Sequence, residues 1–481
     1  MKGDEELKSP ITNQSNCEHA IVVGAGIAGL LAARALSDHF SQVTVLDRDE
    51  LPSAAVPRAG VPQGYHLHAL LPRGLQVIEA FFPGISADMQ NAGAIPMDTG
   101  ADIAWLTPQG WGVQTDTGLI GISSTRNLLE YTIRQRVEAI ANVRILQSTE
   151  ATGLLRAPTG EITGVLTRER AYAVELNQTR TADLLVIASG RQNAIQEWFT
   201  EVGLQLPQTT VIDAHIGYAS RFYRRRADAT VDWKALILQS APPHAIRGGI
   251  MFPMEGDRWL VTLSGGDGDH PPTDEAGFLE FARSLRTPGL YHVIRDAEPV
   301  SPIRGFRSTA NRRQHFEFIK DWPNGLLVLG DAACAFNPIY GQGMTTASLE
   351  AGLLSRLLIE VADPRRMGRT FQREVARILH SPWTLATSSD LRFSSVTGAR
   401  AGFVTRFMHA YIDRVLRLST VDPWARRRFL EVQGMMRELS AVLRPDMLWR
   451  IACNRVPVAT ARRAGRAEIS EPTVSTVGTR Q

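Results

Sequence analysis

The apolar pattern changes texture several times along the chain. Ile21, Val22 and Val23 form an unbroken apolar run, as expected of a strand buried on both faces. Residues 27–37 then read as a helix, and 43–46 as a second buried strand. Pro72 to Phe82 and residues 127–140 carry helical spacing. Residues 102–119 have a strand-like flavour, and 143–147, 161–168 and 171–176 read as short strands of a meander inserted in a parallel sheet. A buried strand over 183–187 ends at a turn through Gly190. Residues 211–223 alternate, and 234–239, 247–254 and 258–264 are further strands, so an antiparallel sheet is expected between about 205 and 305. Residues 326–329 return to a buried run, and 342–361 form a long helix. Beyond 363 the pattern is helical, with breaks expected at Pro364, Pro382, Pro423 and Pro445.

These textures predict an α/β protein. A Rossmann-type dinucleotide domain is expected from 19–90, 120–205 and 300–362. A mostly antiparallel substrate domain is expected from 91–119 and 206–299, and a helical region from 363–462. Residues 1–18 and 463–481 read as disordered tails. A chain of 481 residues can hold two or three such units.

The first apolar run is followed by Gly24, Gly26 and Gly29 at G-x-G-x-x-G spacing, and Asp47 ends the second strand. Gly24 permits a tight turn, Gly26 lets a pyrophosphate approach the backbone, and Gly29 lets the helix pack on the sheet. The helix start, with Ile27 and Ala28, offers N–H groups to phosphate. Asp47, followed by Arg48, can accept from a ribose diol. This stretch indicates an adenine dinucleotide without separating FAD from NAD(P).

A second constellation separates them. Gly330 and Asp331 end a strand, and Pro338, Gly341, Gln342, Gly343 and Met344 lead into the long helix. The acid suits a ribityl chain, and the helix start suits the electron-rich edge of a flavin ring. An NAD enzyme has no use for this later element.

With these motifs the chain resembles the FAD-dependent monooxygenases of the para-hydroxybenzoate hydroxylase and squalene epoxidase type. The likeness runs from about 19 to 390 and includes Arg126 ahead of a helix and Ala188-Ser189-Gly190-Arg191. The loop containing Arg58, His66 and His68, the run Ala335–Gly341 and Ser381-Pro382-Trp383 look like the bacterial polyether-epoxidase branch. The resemblance implies that the first glycine turn, Asp47, Arg126, Ser189 and Gly190 contact FAD; Arg48 and Arg58 are further expected contacts, with a solvated loop charge as the competing reading of Arg58. It also implies that Gly330, Asp331 and the 338–344 segment hold its flavin end. The implied activity is insertion of one oxygen atom from O2 through a flavin C4a-hydroperoxide. Epoxidation of a double bond in an apolar polyketide or terpenoid intermediate is the expected form, with aromatic hydroxylation as its alternative. NADPH or NADH would supply electrons, directly or through a separate flavin reductase. Many relatives carry Asp-Gly where Ser189-Gly190 stands, which puts direct reduction in question.

The cofactor carries such chemistry, so no catalytic side chain is assigned. Trp105, Phe222, Phe252, Trp259 and Trp383 are expected around an apolar substrate, with ordinary core packing as the competing reading. His66 and His68, two apart, face one side of an extended segment and suit a hydrogen bond near the flavin or a surface pair. A cation at the start of a helix opposes the dipole, so Arg126 suggests a compensating anionic ligand. Cys334 admits a covalent flavin link, although a small buried thiol is the ordinary case. Two further functions share these motifs. One is a flavin-dependent double-bond reductase; the other is a catalytically silent flavoprotein scaffold. A halogenase is disfavoured, since no two tryptophans stand two apart.

Composition narrows the partners. With 52 basic and 49 acidic residues the net charge is +3, too balanced for nucleic-acid binding. Three scattered cysteines lack metal-ligand spacing, and neither a signal peptide nor a transmembrane run is read. A cytoplasmic protein is expected.

Overall fold

The computed structural model describes residues 17–170, 177–191, 194–225 and 231–454. The expected strand at 171–176, residues 1–16 of the leading tail, the whole trailing tail and 455–462 of the expected helical region lie outside them. Cys17 and Glu18, expected in the leading tail, belong to the fold. Cys17 is buried, and the Glu18 amide donates to Asp183 at 2.8 Å.

A five-stranded parallel sheet forms the base. Its order is 326–328, 184–187, 19–23, 42–46, 143–146. The central strand alternates between two cores. Ala20 and Val22 face the helices 27–37, 126–138 and 343–360. Ile21 and Val23 face a layer containing helix 195–201 and the antiparallel sheet 149–156, 162–169 and 177–181. Burial on both sides explains the continuous apolar runs. Residues 143–146 are thus an edge of the parallel sheet instead of part of a meander. Strand 149–156 escaped the sequence reading because its register shifts at Ala151/Gly153 and Leu155/Arg156, which breaks the period of two.

A seven-stranded sheet lies apart from this one. Its order is 304–306, 217–224, 258–265, 247–254, 235–238, 103–107, 110–111, antiparallel except where 103–107 meets 235–238. Period-two alternation sends Met251, Trp259 and Val261 to one face, under helices 275–283 and 289–294. Phe252 and Leu260 go to the other face, with Met97, Ile103 and Leu67.

Helix 368–390 packs on the dinucleotide-domain core, and helices 403–418, 423–433 and 445–453 form a separate apolar cluster. Pro423 and Pro445 begin helices, where the missing N–H costs nothing. Pro382 does not break its helix, which continues to Asp390. Leu379 and Ala386, buried on either side of the proline, anchor both halves to the core.

Candidate active site

The two glycine turns meet at one cavity of about 340 Å³. Gly24, Gly26, Ile27 and Ala28 line it from the first turn, and Asp47, Arg48 and Arg58 from the strand end and the following loop. Arg126, Ser189, Gly190 and Asp331 follow, and Pro338, Gly341, Gly343 and Met344 complete the sequence-read set. The same cavity touches His68, expected near the flavin, and Gln63 of the same loop, together with residues without an assigned role in the sequence reading: Thr149, Glu150, Arg191, Trp198, Phe306 and Ser308. Arg191 stood in a quoted motif, but nothing local marked the others.

Three sequence-read residues do not line the cavity. Gly29 serves packing, since a Cβ there would stand 1.8 Å from the Gly24 carbonyl oxygen. Gly330 takes a positive φ of 66° and offers its amide to Glu350 at 2.6 Å. Gln342 is buried ahead of helix 343–360. None of the five aromatic candidates lines the cavity either. Trp105 bonds Gln239 and packs on Phe429 under the Arg426 guanidinium. Trp259 points to the far face of the large sheet beside Trp233. Trp383 packs on the dinucleotide-domain core. Phe222 and Phe252 sit in the apolar cluster that also contains Leu67. Alternation and tertiary packing, invisible in composition, decided each case.

The first turn is tightly held. Asp47 accepts from the Ala25 amide at 2.7 Å and the Asp49 amide at 2.9 Å. Arg58 donates to Asp47 at 3.2 Å, Asp49 at 2.7 Å and Glu130 at 2.8 Å. Burial raises the Asp47 carboxyl, against the pull of Arg58 and the two amides. Arg126 is the first residue of helix 126–138 and donates to Glu130 at 2.7 Å. Its compensating anion is therefore partly its own helix, a correction to the reading from the dipole alone. Its Nε is buried without a partner among the described residues, as is the Ser189 hydroxyl. Helices 27–37 and 343–360 have no side-chain cap, so their first N–H groups are free for a ligand. Uncapped helix starts, unpaired donors and a glycine at 26, with the Arg126 and Arg58 guanidiniums 3.9 and 4.0 Å from where a Cβ would stand, fit a dinucleotide pyrophosphate.

The other end is built around buried charge. Burial raises the Asp331 carboxyl, while Arg191, Arg126 and Arg312 pull it down. Arg191 donates to the Ala310 carbonyl at 2.7 Å and to that of Phe336. Cys334 is in the core, its thiol pushed well above the ordinary value by burial, and it does not line the cavity. A covalent flavin link there finds no support.

The two histidines part company. His66 turns to Ser220 at 2.9 Å and packs edge-on against Tyr218 and Phe306. Burial lowers it to about 4. His68 faces the cavity, and its Nδ1 bonds the His66 carbonyl at 3.0 Å. A carbonyl only accepts, so that nitrogen carries the proton and Nε2 keeps a lone pair. Burial, then the charge of Arg126, pushes His68 down to about 3.

Comparison with known proteins agrees with this geometry. The family model for FAD dependent oxidoreductases matches residues 19–357, and the chain belongs to that family. Protein Rv3254 of Mycobacterium tuberculosis is 31% identical over 425 residues, covering 86% of this chain and 89% of the relative. Kynurenine 3-monooxygenase of Salinispora tropica is 26% identical, covering 79% and 80%. Among solved structures, the flavin-dependent brominase Bmp2 superposes with a TM-score of 0.64 at 15% identity, over 90% of this chain and 98% of that one. PqsL of Pseudomonas aeruginosa with 2-aminobenzoylacetate gives 0.59 at 16% identity, over 78% and 98%. At such identities these two show the fold alone. Among the described residues no helix is long and apolar enough to cross a membrane.

Proposed function

We propose that this FAD-dependent oxidoreductase is a monooxygenase that adds one atom of O2 to an apolar small molecule, with epoxidation of a natural-product double bond as the reaction. The observation that carries the reading is the shared cavity: Gly24, Gly26, Ile27 and Ala28 line one space with Pro338, Gly341, Gly343 and Met344, and Asp331 lies between the two turns in sequence. The first turn, Asp47, Arg58 and Arg126 would take the adenine ribose and pyrophosphate. Asp331 would take the ribityl chain, and Pro338–Met344 the ring edge. Bound there, the flavin would supply oxygen activation and transfer. The protein's own part is to orient the substrate and exclude water. Phe306 and Pro338 border the cavity, and beyond them the Phe252–Leu260 face of the large sheet offers apolar surroundings.

His68 bears on epoxidation against aromatic hydroxylation. A phenol is helped by a base that takes its proton. His68 holds an Nε2 lone pair, yet with a value of about 3 it binds a proton poorly near neutral pH. Epoxidation requires no such base.

The test is turnover of purified protein with FAD, NADPH, a flavin reductase and isotopically labelled O2 over a panel of olefinic and aromatic compounds. Label in an epoxide supports the proposal. Product formed without O2 would point to the double-bond reductase. FAD that stays oxidised with every reductant would point to the silent scaffold.

A further inference from the structure

Asp390 is the last residue of helix 368–390, outside the cavity and fully buried. Its Oδ1 accepts from the Tyr340 hydroxyl at 2.5 Å, and its Oδ2 from Asn311 Nδ2 at 2.6 Å. Asn337 Nδ2 approaches Oδ1 at 3.5 Å. Asn311 in turn accepts the Asn337 amide at 2.7 Å, and Asn337 accepts the Ile339 amide at 3.3 Å. Residues 337 and 340 bracket the short turn Pro338–Tyr340, so one carboxylate ties down both ends of it. Pro338 and the left-handed Gly341 of that segment border the cavity. Asn311 and Asn337 are as buried as Asp390, so the assembly has little freedom to rearrange without losing a hydrogen bond.

We infer that Asp390 is a positioning residue for the flavin, setting the shape of the 338–341 turn through Tyr340, Asn337 and Asn311. This rests on the assignment of that turn to the flavin ring. As a carboxylate, Asp390 accepts from every partner. As a neutral acid it must donate from one oxygen, and Tyr340 is the only one of the three with a hydroxyl that can turn to accept. Protonation therefore reverses the Tyr340 bond and loosens one end of the turn.

Among the described residues no cation is bonded to the group. Burial, foremost, and Asp213 push Asp390 up to about 7, against the three donors. Arg392, two residues past the end of that helix, is turned to Asp413 and the His409 carbonyl. Beside Asn311, Arg312 donates to the Arg191 carbonyl and Arg313 to Glu317.

The test is FAD binding to the deflavinated full chain, followed by flavin fluorescence across pH. For wild type the dissociation constant is expected to rise about ten-fold as pH falls through 7, the loss of one charge-assisted hydrogen bond. Asp390→Asn is the same shape and copies the neutral acid. It is expected to bind at the weak level throughout, with no step. If that variant does not fold, Tyr340→Phe removes the reversible bond alone and is likewise expected to lose the step. A variant with wild-type affinity and an intact step near pH 7 would overturn the inference. Wild type that binds no FAD at all would instead overturn the flavin assignment itself.

Discussion

Replacing Arg58 by Met probes how the proposed adenine end of the site is held together. The Arg58 side chain is 8% exposed and meets Asp47, Asp49 and Glu130, which are 7%, 8% and 12% exposed. Arg126 also pairs with Glu130. Three carboxylates therefore share two guanidiniums, a local charge of −1 that becomes −2 in Arg58→Met. Met keeps most of the volume, so the loss is mainly electrostatic. Removing one partner from a buried ionic group costs about 3–5 kcal/mol, because the charges left behind stay desolvated. The sign with pH follows. Burial already raises the Asp47 carboxyl against the pull of Arg58, so without Arg58 it rises further, and a raised acid destabilises when ionised. The deficit is therefore full at high pH and shrinks as pH falls toward the unfolded carboxyl range near 4. Urea unfolding at fixed excess FAD, at about pH 8 and about pH 5, measures it. Adding Glu130→Gln to the variant should recover part of the loss, through a coupling of about 1–3 kcal/mol. A deficit below about 1 kcal/mol, or one equal at both pH values, would refute the reasoning.

Gly29→Ala should abolish FAD loading, since the new methyl would overlap the Gly24 carbonyl; the flavin band relative to protein absorbance reports it. His66 is held near 4 against an ordinary 6.5, so it is stabilising in its neutral form above 6.5. That contribution, about 3 kcal/mol, should be lost as pH falls from 6.5 to 4, and His66→Asn should flatten this part of the stability–pH curve. Arg426 is 1% exposed, lies over Trp105 and Phe429, and has no ion pair among the described residues. Arg426→Met should leave the denaturation midpoint unchanged or raise it, and a large fall would show that the cation's ring contacts matter more than its desolvation.

Much of this molecule is legible before folding because its motifs are local. Gly24 and Asp47 belong to one short strand–helix–strand unit, and the rules for a tight turn, a helix start and a strand end act within a few residues. The second turn is equally self-contained: Pro338, Gly341 and Gly343 announce a break and a helix whatever surrounds them. The buried strands of the parallel sheet show as apolar runs because both of their faces are covered.

Only the tertiary structure decided the rest. Which face Trp259 takes depends on the register of its sheet, a long-range choice that no window of sequence contains. Arg126 looked like a free cation until its helix placed Glu130 one turn away beside Arg58. His68 reaches the cavity while His66 turns to Ser220, a separation that an extended segment read from spacing alone does not predict. Asp390 lies 50 positions from Tyr340, and a solitary acid in a helix carries no mark of its partners until packing removes water and leaves it three hydrogen-bond donors. Local geometry can be written in neighbouring residues; a buried charge acquires its meaning only from what the fold brings against it.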